Sequence, residues 1–304
     1  MHRVVYAADY EIDIGRHVFP TEKFRLVAER LIGEGVITPE DILAPQPLGR
    51  AALARVHTAD YLDDFLALRP TWRVQRSELP ISAAIRDAYC VAAGGTLAAA
   101  RIALERGAAM HLGGGYHHAM PAHAEGFCYL NDIAVALRVL LDEGAIGRGA
   151  VIDTDVHQGN GTARIFQDDP AVFTFSIHQE NNYPMKEQSD LDIGLPDGIE
   201  DAAYLAVLEP AVHQVLQAQE PDLVLMVAGA DPYREDLLGG LRLSLDGLRR
   251  RDALVVRACA ERGVPVVGLT AGGYARTLAD TVAIHCNTTR EILAWPRYAK
   301  RSNS

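Results

Sequence analysis

Nowhere in the 304 residues does an apolar run approach the roughly 18 that a membrane-crossing helix needs. The N-terminal MHRVVYAADYEIDIGRH is broken by charge before the apolar centre of an export signal can form. Cysteine is scarce: Cys90, Cys128, Cys259 and Cys286 lie far apart with no CxxC pair, so no disulfide framework is indicated and the thiols read as reduced and buried. Positive charge is also short. Lys and Arg total 29 against 40 Asp and Glu, a formal net charge of -11, which disfavours nucleic acid or an anionic membrane as a partner and suits a cationic substrate. Repeats, low-complexity segments and linkers are absent. What these absences leave is a cytoplasmic protein of one domain, residues 1–304, a length comfortable for one large α/β unit.

What is present is an alternation. Short apolar, β-rich runs at 3–7, 108–112, 149–153, 171–177, 221–228 and 264–270 read as strands. Between them, 20–33, 48–68, 81–105, the stretch after Asn131, 201–218, 244–262 and 277–294 carry helical patterns. Gly94-Gly95 falls in the middle of one, where two helices or helical turns could pack closely. The polar stretch 179–192 contains Tyr183, Pro184, Met185 and Leu191 and reads as an ordered loop. The alternation predicts an open, mostly parallel sheet with helices on both faces, where ligands bind beyond the carboxyl ends of the strands.

The unusual polar residues sit at those ends. GAVIDTDVHQGNG, residues 149–161, brings Asp153, Asp155 and His157 to one side if the strand stays extended, a costly burial without a cation or hydrogen bonds to compensate. Capping of the next helix is the plainer alternative. Asp155, His157 and Asp231 would make a three-ligand oxygen and nitrogen set with an open position, the pattern of a hydrolytic zinc site. Asp153 could instead orient an imidazole through its N–H. His117 and His118 follow Gly113-Gly114-Gly115 and could carry a proton to and from a reacting group. Tyr274, on Ala271-Gly272-Gly273, could donate to a developing oxyanion or be a packed aromatic.

Taken together, GGGYHHA, EGFCYLND, DTDVHQGNG, FSIH, GADPYREDLLGG and AGGY resemble the zinc-dependent histone deacetylase superfamily over most of the chain. HQGNG and the lack of long additions look most like class IV deacetylases and their bacterial relatives. The resemblance implies an arginase-like three-layer fold and one catalytic Zn2+ on Asp155, His157 and Asp231. It makes His117 an electrostatic partner held by Asp153, His118 the general base and acid, and Tyr274 the residue that polarises the acyl carbonyl. Asn160 stands where some classes carry an aspartate behind the second histidine; an amide orients His118 without raising its basicity as a carboxylate does.

The family's acyl-lysine tunnel maps to Gly126, Phe127, Tyr183 and Leu238, with Tyr183 where phenylalanine is common. A structural K+ is implied near Asp153, Asp155, His157 and Ser176. The expected partners are acylated lysines of proteins or peptides. Acetylpolyamines are the rival substrates: Leu238 occupies the place of their acidic gatekeeper, with Glu235 and Asp236 close by. A two-manganese ureohydrolase of the same fold and a non-catalytic acyl-lysine binder are the remaining alternatives.

Overall fold

The computed structural model describes residues 3–301. Strands β1 (Val4–Val5), β2 (Ile42–Leu43), β3 (Ala108–His111), β4 (Gly149–Asp153), β5 (Val172–Gln179), β6 (Leu191–Leu195), β7 (Leu223–Val227) and β8 (Val266–Leu269) form one sheet. Its order is β2-β1-β3-β8-β7-β4-β5-β6, and every pairing is parallel. The central strands are apolar along their whole length because helices cover both faces. Period-2 geometry then splits each strand between two cores. Ala150, Ile152, Val224 and Met226 pack on one side with helices Lys23–Gly33, Asp201–Gln219, Leu245–Glu261 and Leu278–Leu293. Val151, Leu225, Val227 and Leu269 pack on the other with helices Ala83–Arg106 and Asp132–Asp142. Each Val, Leu, Ile or Met among them, fully removed from water, contributes about 1.5–3 kcal/mol.

Register brings His111, Leu269, Val227 and Asp153 into one row across β3, β8, β7 and β4. The loops that follow this row carry every polar cluster singled out from the sequence, at the carboxyl edge where such sheets bind ligands. Among the described residues, no helix is long and apolar enough to cross a membrane.

Gly94-Gly95 marks close approach, as read, within one continuous helix Ala83–Arg106: a Cβ at 94 would meet the Gln46 carbonyl. Two local expectations need correction. The region 179–192 is not all loop, because β5 continues to Gln179 and β6 begins at Leu191. Finally, β4 ends at Asp153, so Asp155 and His157 do not share a strand face with it. A chain of turns aligns them instead. Asp153 Oδ1 accepts the Asp155 N–H at 3.1 Å, and Asp155 Oδ1 accepts the His157 N–H at 2.9 Å.

Beneath the loops lie histidines that burial keeps neutral. His57 Nδ1 faces the Met120 carbonyl at 3.0 Å, and its Nε2 accepts the Asn131 N–H at 3.1 Å, tying two site loops together. Burial lowers its pKa from 6.5 to about 4. The unfolded chain therefore takes up this proton first, and stability present above pH 6.5 is lost as pH falls towards 4. Replacing His57→Gln is expected to flatten denaturant-measured stability between these pH values by about 1.4 kcal/mol per pH unit, one proton's worth. An unchanged slope would remove His57 from the acid response.

Candidate active site

The loop after β3 is fastened by Asp132, whose carboxylate accepts the Gly115 N–H at 3.0 Å, the Tyr116 N–H at 2.7 Å and the Thr96 hydroxyl at 2.5 Å. Thus anchored, it delivers the two histidines over the sheet to the end of β4 and the turn beyond it. His117 Nδ1 meets Asp153 Oδ2 at 2.7 Å, and His118 Nδ1 meets Asn160 Oδ1 at 2.8 Å. The two rings lie 4.0 Å apart, both buried, and line the same cavity as Asp155, His157 and Tyr274. Burial pulls His117 down, but Asp153 and Asp155 carry it up to about 9. Burial, then the charges of His117 and His157, hold His118 well below 6.5. The pair therefore divides into a cation and a neutral base, which is what general acid–base work beside a fixed charge requires.

Asp155, His157 and Asp231 place one ligand atom each within 4.8 Å of one another, all buried, and form the one such cluster among the described residues. Asp231 Oδ1 accepts the Val156 N–H at 2.9 Å, while Oδ2 is buried with no well-formed hydrogen bond, 3.3 Å from His157 Nδ1. Gly229 and Gly272 flank the trio, and a Cβ on either would collide with the carboxylates. Burial and the neighbouring Asp155 push Asp231 up to about 7. His157, opposed by burial, is drawn up to about 10 by Asp155 and Asp231. An orphaned carboxylate oxygen in an imidazole–carboxylate set without thiolates fits a divalent cation with an open position. The other nearby carboxylates are committed elsewhere: Asp153 to His117, and Asp236 to the N–H groups of Tyr274 (2.7 Å), Leu238 (2.8 Å) and Gly239 (3.0 Å).

Tyr274 is buried beside Phe19 and Phe127, and burial together with Asp231 and Asp155 raises its phenol well above 10, so it remains a hydrogen donor. Of the four residues assigned to an acyl-lysine tunnel, Gly126 and Phe127 line this cavity. Phe127 stacks on Phe19 at 6.2 Å, and Leu238 packs against the same aromatic group. Tyr183 sets its ring edge-on to His118 (5.2 Å) and His157 (6.1 Å) and is 41% exposed. Gly126 (φ 50°) lies where any side chain would strike His118 and the Tyr183 hydroxyl. Phe127 itself has φ 62°, a strained value for a bulky residue, held by its N–H on the Ser77 carbonyl (2.9 Å) and the Tyr89 hydroxyl on its carbonyl (2.5 Å).

Several supporting residues escaped the sequence reading. Lys23 is fully buried; its ammonium donates to the Ala271 carbonyl at 2.6 Å and lies near the Phe19, Phe24 and Tyr274 rings. Arg251, also fully buried, donates to the carbonyls of Thr154 (3.2 Å) and Gly229 (2.6 Å), joining the turns that carry Asp155 and Asp231. Its Nε bonds Asp252 at 2.8 Å, which accepts the Thr288 hydroxyl. The available signal was Arg251-Asp252 falling on the apolar stripe of its helix between Leu248 and Val255, three and four residues away.

Residues 17–289 match the histone deacetylase domain family. A protein of Picosynechococcus sp. is 45% identical over 285 residues, covering 93% of this chain and 95% of its own. Histone deacetylase 2 of Arabidopsis thaliana is 30% identical over 306 residues, covering 92% and 77%. The crystal structure of a deacetylase homologue complexed with SAHA superposes with a TM-score of 0.80 at 25% identity over 98% of this chain and 84% of that one. The HDA15 HD domain shares the fold at a TM-score of 0.79, with 22% identity and coverage of 98% and 94%.

Proposed function

The chain belongs to the histone deacetylase family, and on that premise we propose that it is a zinc-dependent hydrolase of acylated lysine side chains in proteins or peptides. The observation that carries this reading is the convergence of a neutral His118, a protonated Tyr274 and the Asp155–His157–Asp231 trio on one cavity beside Phe127 and Tyr183. One zinc ion held by the trio supplies, when bound, Lewis acidity towards water and the acyl carbonyl.

The chain's own residues do the rest. Phe127, Tyr183, Leu238 and the bare backbone of Gly126 take the methylene stem of lysine, whose acylated nitrogen is neutral. His118 Nε2 accepts a proton as the water oxygen bonds to the carbonyl carbon, and returns it to the nitrogen as the C–N bond breaks. His117, charged and held by Asp153, stabilises the negative charge that develops. Tyr274 donates its phenolic hydrogen to the carbonyl oxygen. A structural K+ belongs at the edge where Asp153 and Ser176 are register partners, next to Asp155 and His157.

Acetylpolyamines fit less well. The gatekeeper position is Leu238, and Asp236 beside it is occupied by three backbone N–H groups, which leaves the exposed Glu235, 3.9 Å from Arg276, as the carboxylate open to a second amine. A panel of acyl-lysine peptides and acetylpolyamines, assayed with chelator and after zinc restoration, separates the two. In the same assay Tyr274→Phe is expected to lower kcat by about 10²–10³-fold with little change in KM. Unaltered turnover would remove the phenol from the mechanism.

A further inference from the structure

Behind Asn160 lies another carboxylate. Glu125 is 7% exposed, directly precedes the tunnel residues Gly126 and Phe127, and exchanges backbone hydrogen bonds with Cys128 at 3.0 and 2.9 Å. Its Oε1 accepts the Asn160 side-chain amide at 2.9 Å. Its Oε2 accepts the Arg76 guanidinium at 2.7 Å and lies 3.2 Å from His123 Nε2. Burial opposes its ionisation, but hydrogen bonds from His123, Arg76 and Asn160 hold it down at about 2.

An ionised carboxylate only accepts hydrogen bonds, so Asn160 must present its nitrogen to Glu125 and its oxygen to His118. That oxygen, 2.8 Å from His118 Nδ1, also only accepts, so the imidazole proton must sit on Nδ1. Nε2 is then the free nitrogen. An amide flip and a histidine tautomer, each otherwise undetermined, are both fixed from the Glu125 end.

We infer that Glu125 is a positioning residue for hydrolysis: through Asn160 it holds His118 in the tautomer whose Nε2 can accept a proton, and it supplies, one residue further back, the negative charge that Asn160 lacks. The kinetic consequence rests on the acyl-lysine hydrolase reading; the tautomer does not. The competing role is purely structural, an anchor for the turn 125–128 through Arg76.

The test uses the full zinc-loaded chain and two readouts, the ¹⁵N resonances of His118 and the kinetics on an acetyl-lysine peptide. Wild type is expected to show the Nδ1–H tautomer. In Glu125→Gln the new amide can donate or accept, so Asn160 is free to turn. The tautomers should mix, and kcat should fall about 10–100-fold with KM within about 2-fold. Asn160→Asp alone sets two carboxylates face to face, with a similar loss expected, about 10-fold or more. In the double variant the new aspartate accepts both from His118 and from the glutamine amide that replaces the Glu125 carboxylate. The Nδ1–H signal and kcat should then return to within about 3-fold of wild type, a strongly non-additive cycle.

A pure Nδ1–H signal in Glu125→Gln with unchanged kcat, or a double variant whose losses multiply, overturns the inference. If Glu125→Gln does not fold, the double variant against Asn160→Asp still decides: recovery supports the relay, and no recovery refutes it. Should wild type fail to hydrolyse any acyl-lysine peptide, the functional reading falls while the tautomer measurement still judges Glu125.

Discussion

Asp231→Asn is expected to bring bound zinc, measured by atomic emission against protein concentration, from about one ion per chain to near none, and to slow peptide hydrolysis by at least about 10³-fold, the equivalent of some 4 kcal/mol of lost charge stabilisation. The substitution is nearly isosteric. The asparagine oxygen can still accept the Val156 N–H that Asp231 Oδ1 accepts at 2.9 Å, so the turn survives. The orphaned Oδ2, however, becomes an amide that points hydrogens where a cation belongs. Because burial and Asp155 push the Asp231 carboxyl up to about 7, the chelated variant should be at least as stable as chelated wild type at alkaline pH. Retained zinc together with retained turnover would show that the ligand set lies elsewhere.

The next largest effect belongs to His118. His118→Ala should lower kcat by about 10²–10⁴-fold while zinc content and KM stay near wild type. At neutral pH His117, drawn up to about 9 by Asp153 and Asp155 against its burial, already carries its proton and cannot accept another. His118 is neutral, with Nδ1 occupied by Asn160. His117→Ala is therefore expected to cost less, about 10-fold to 10²-fold, by removing a charge and not the base. A larger loss in His117→Ala than in His118→Ala would exchange the two roles.

The sheet edge and its polar residues were legible in the sequence because buried parallel strands write themselves as apolar runs, which makes an aspartate or histidine at their ends conspicuous. His117, His118, Gly126, Phe127, Asp155, His157 and Tyr274 line one cavity, and Asp231 offers a ligand atom within 4.8 Å of those of Asp155 and His157. Its supports were less visible. Arg249-Arg250-Arg251-Asp252 looks like a solvated run, yet only the first two are exposed, and register on the helix decides which pair turns inward. Lys23 sits among ordinary helix-start residues and is distinguished only by what packs over it. Strand β6 was hidden for another reason: at the sheet edge only Leu195 of its five residues is buried, and Asp192 and Gly194 interrupt the apolar run.

The row His111–Leu269–Val227–Asp153 also fixes a length. Three strand intervals separate its ends, about 14 Å at the usual spacing between strands. From His111 the chain must arrive at His117, which touches Asp153, in six residue steps, at most about 20 Å if fully extended. Part of that path continues alongside the end of β8, where the Gly113 and Gly114 carbonyls accept the Thr270 and Ala271 N–H groups at 3.4 and 3.2 Å, before the chain turns at Gly114 and Gly115 with φ of 67° and 80°. The side chains of His117 and Asp153 make the rest of the crossing, so the residue count from Leu112 to Tyr116, as much as their identity, decides where the two imidazoles arrive.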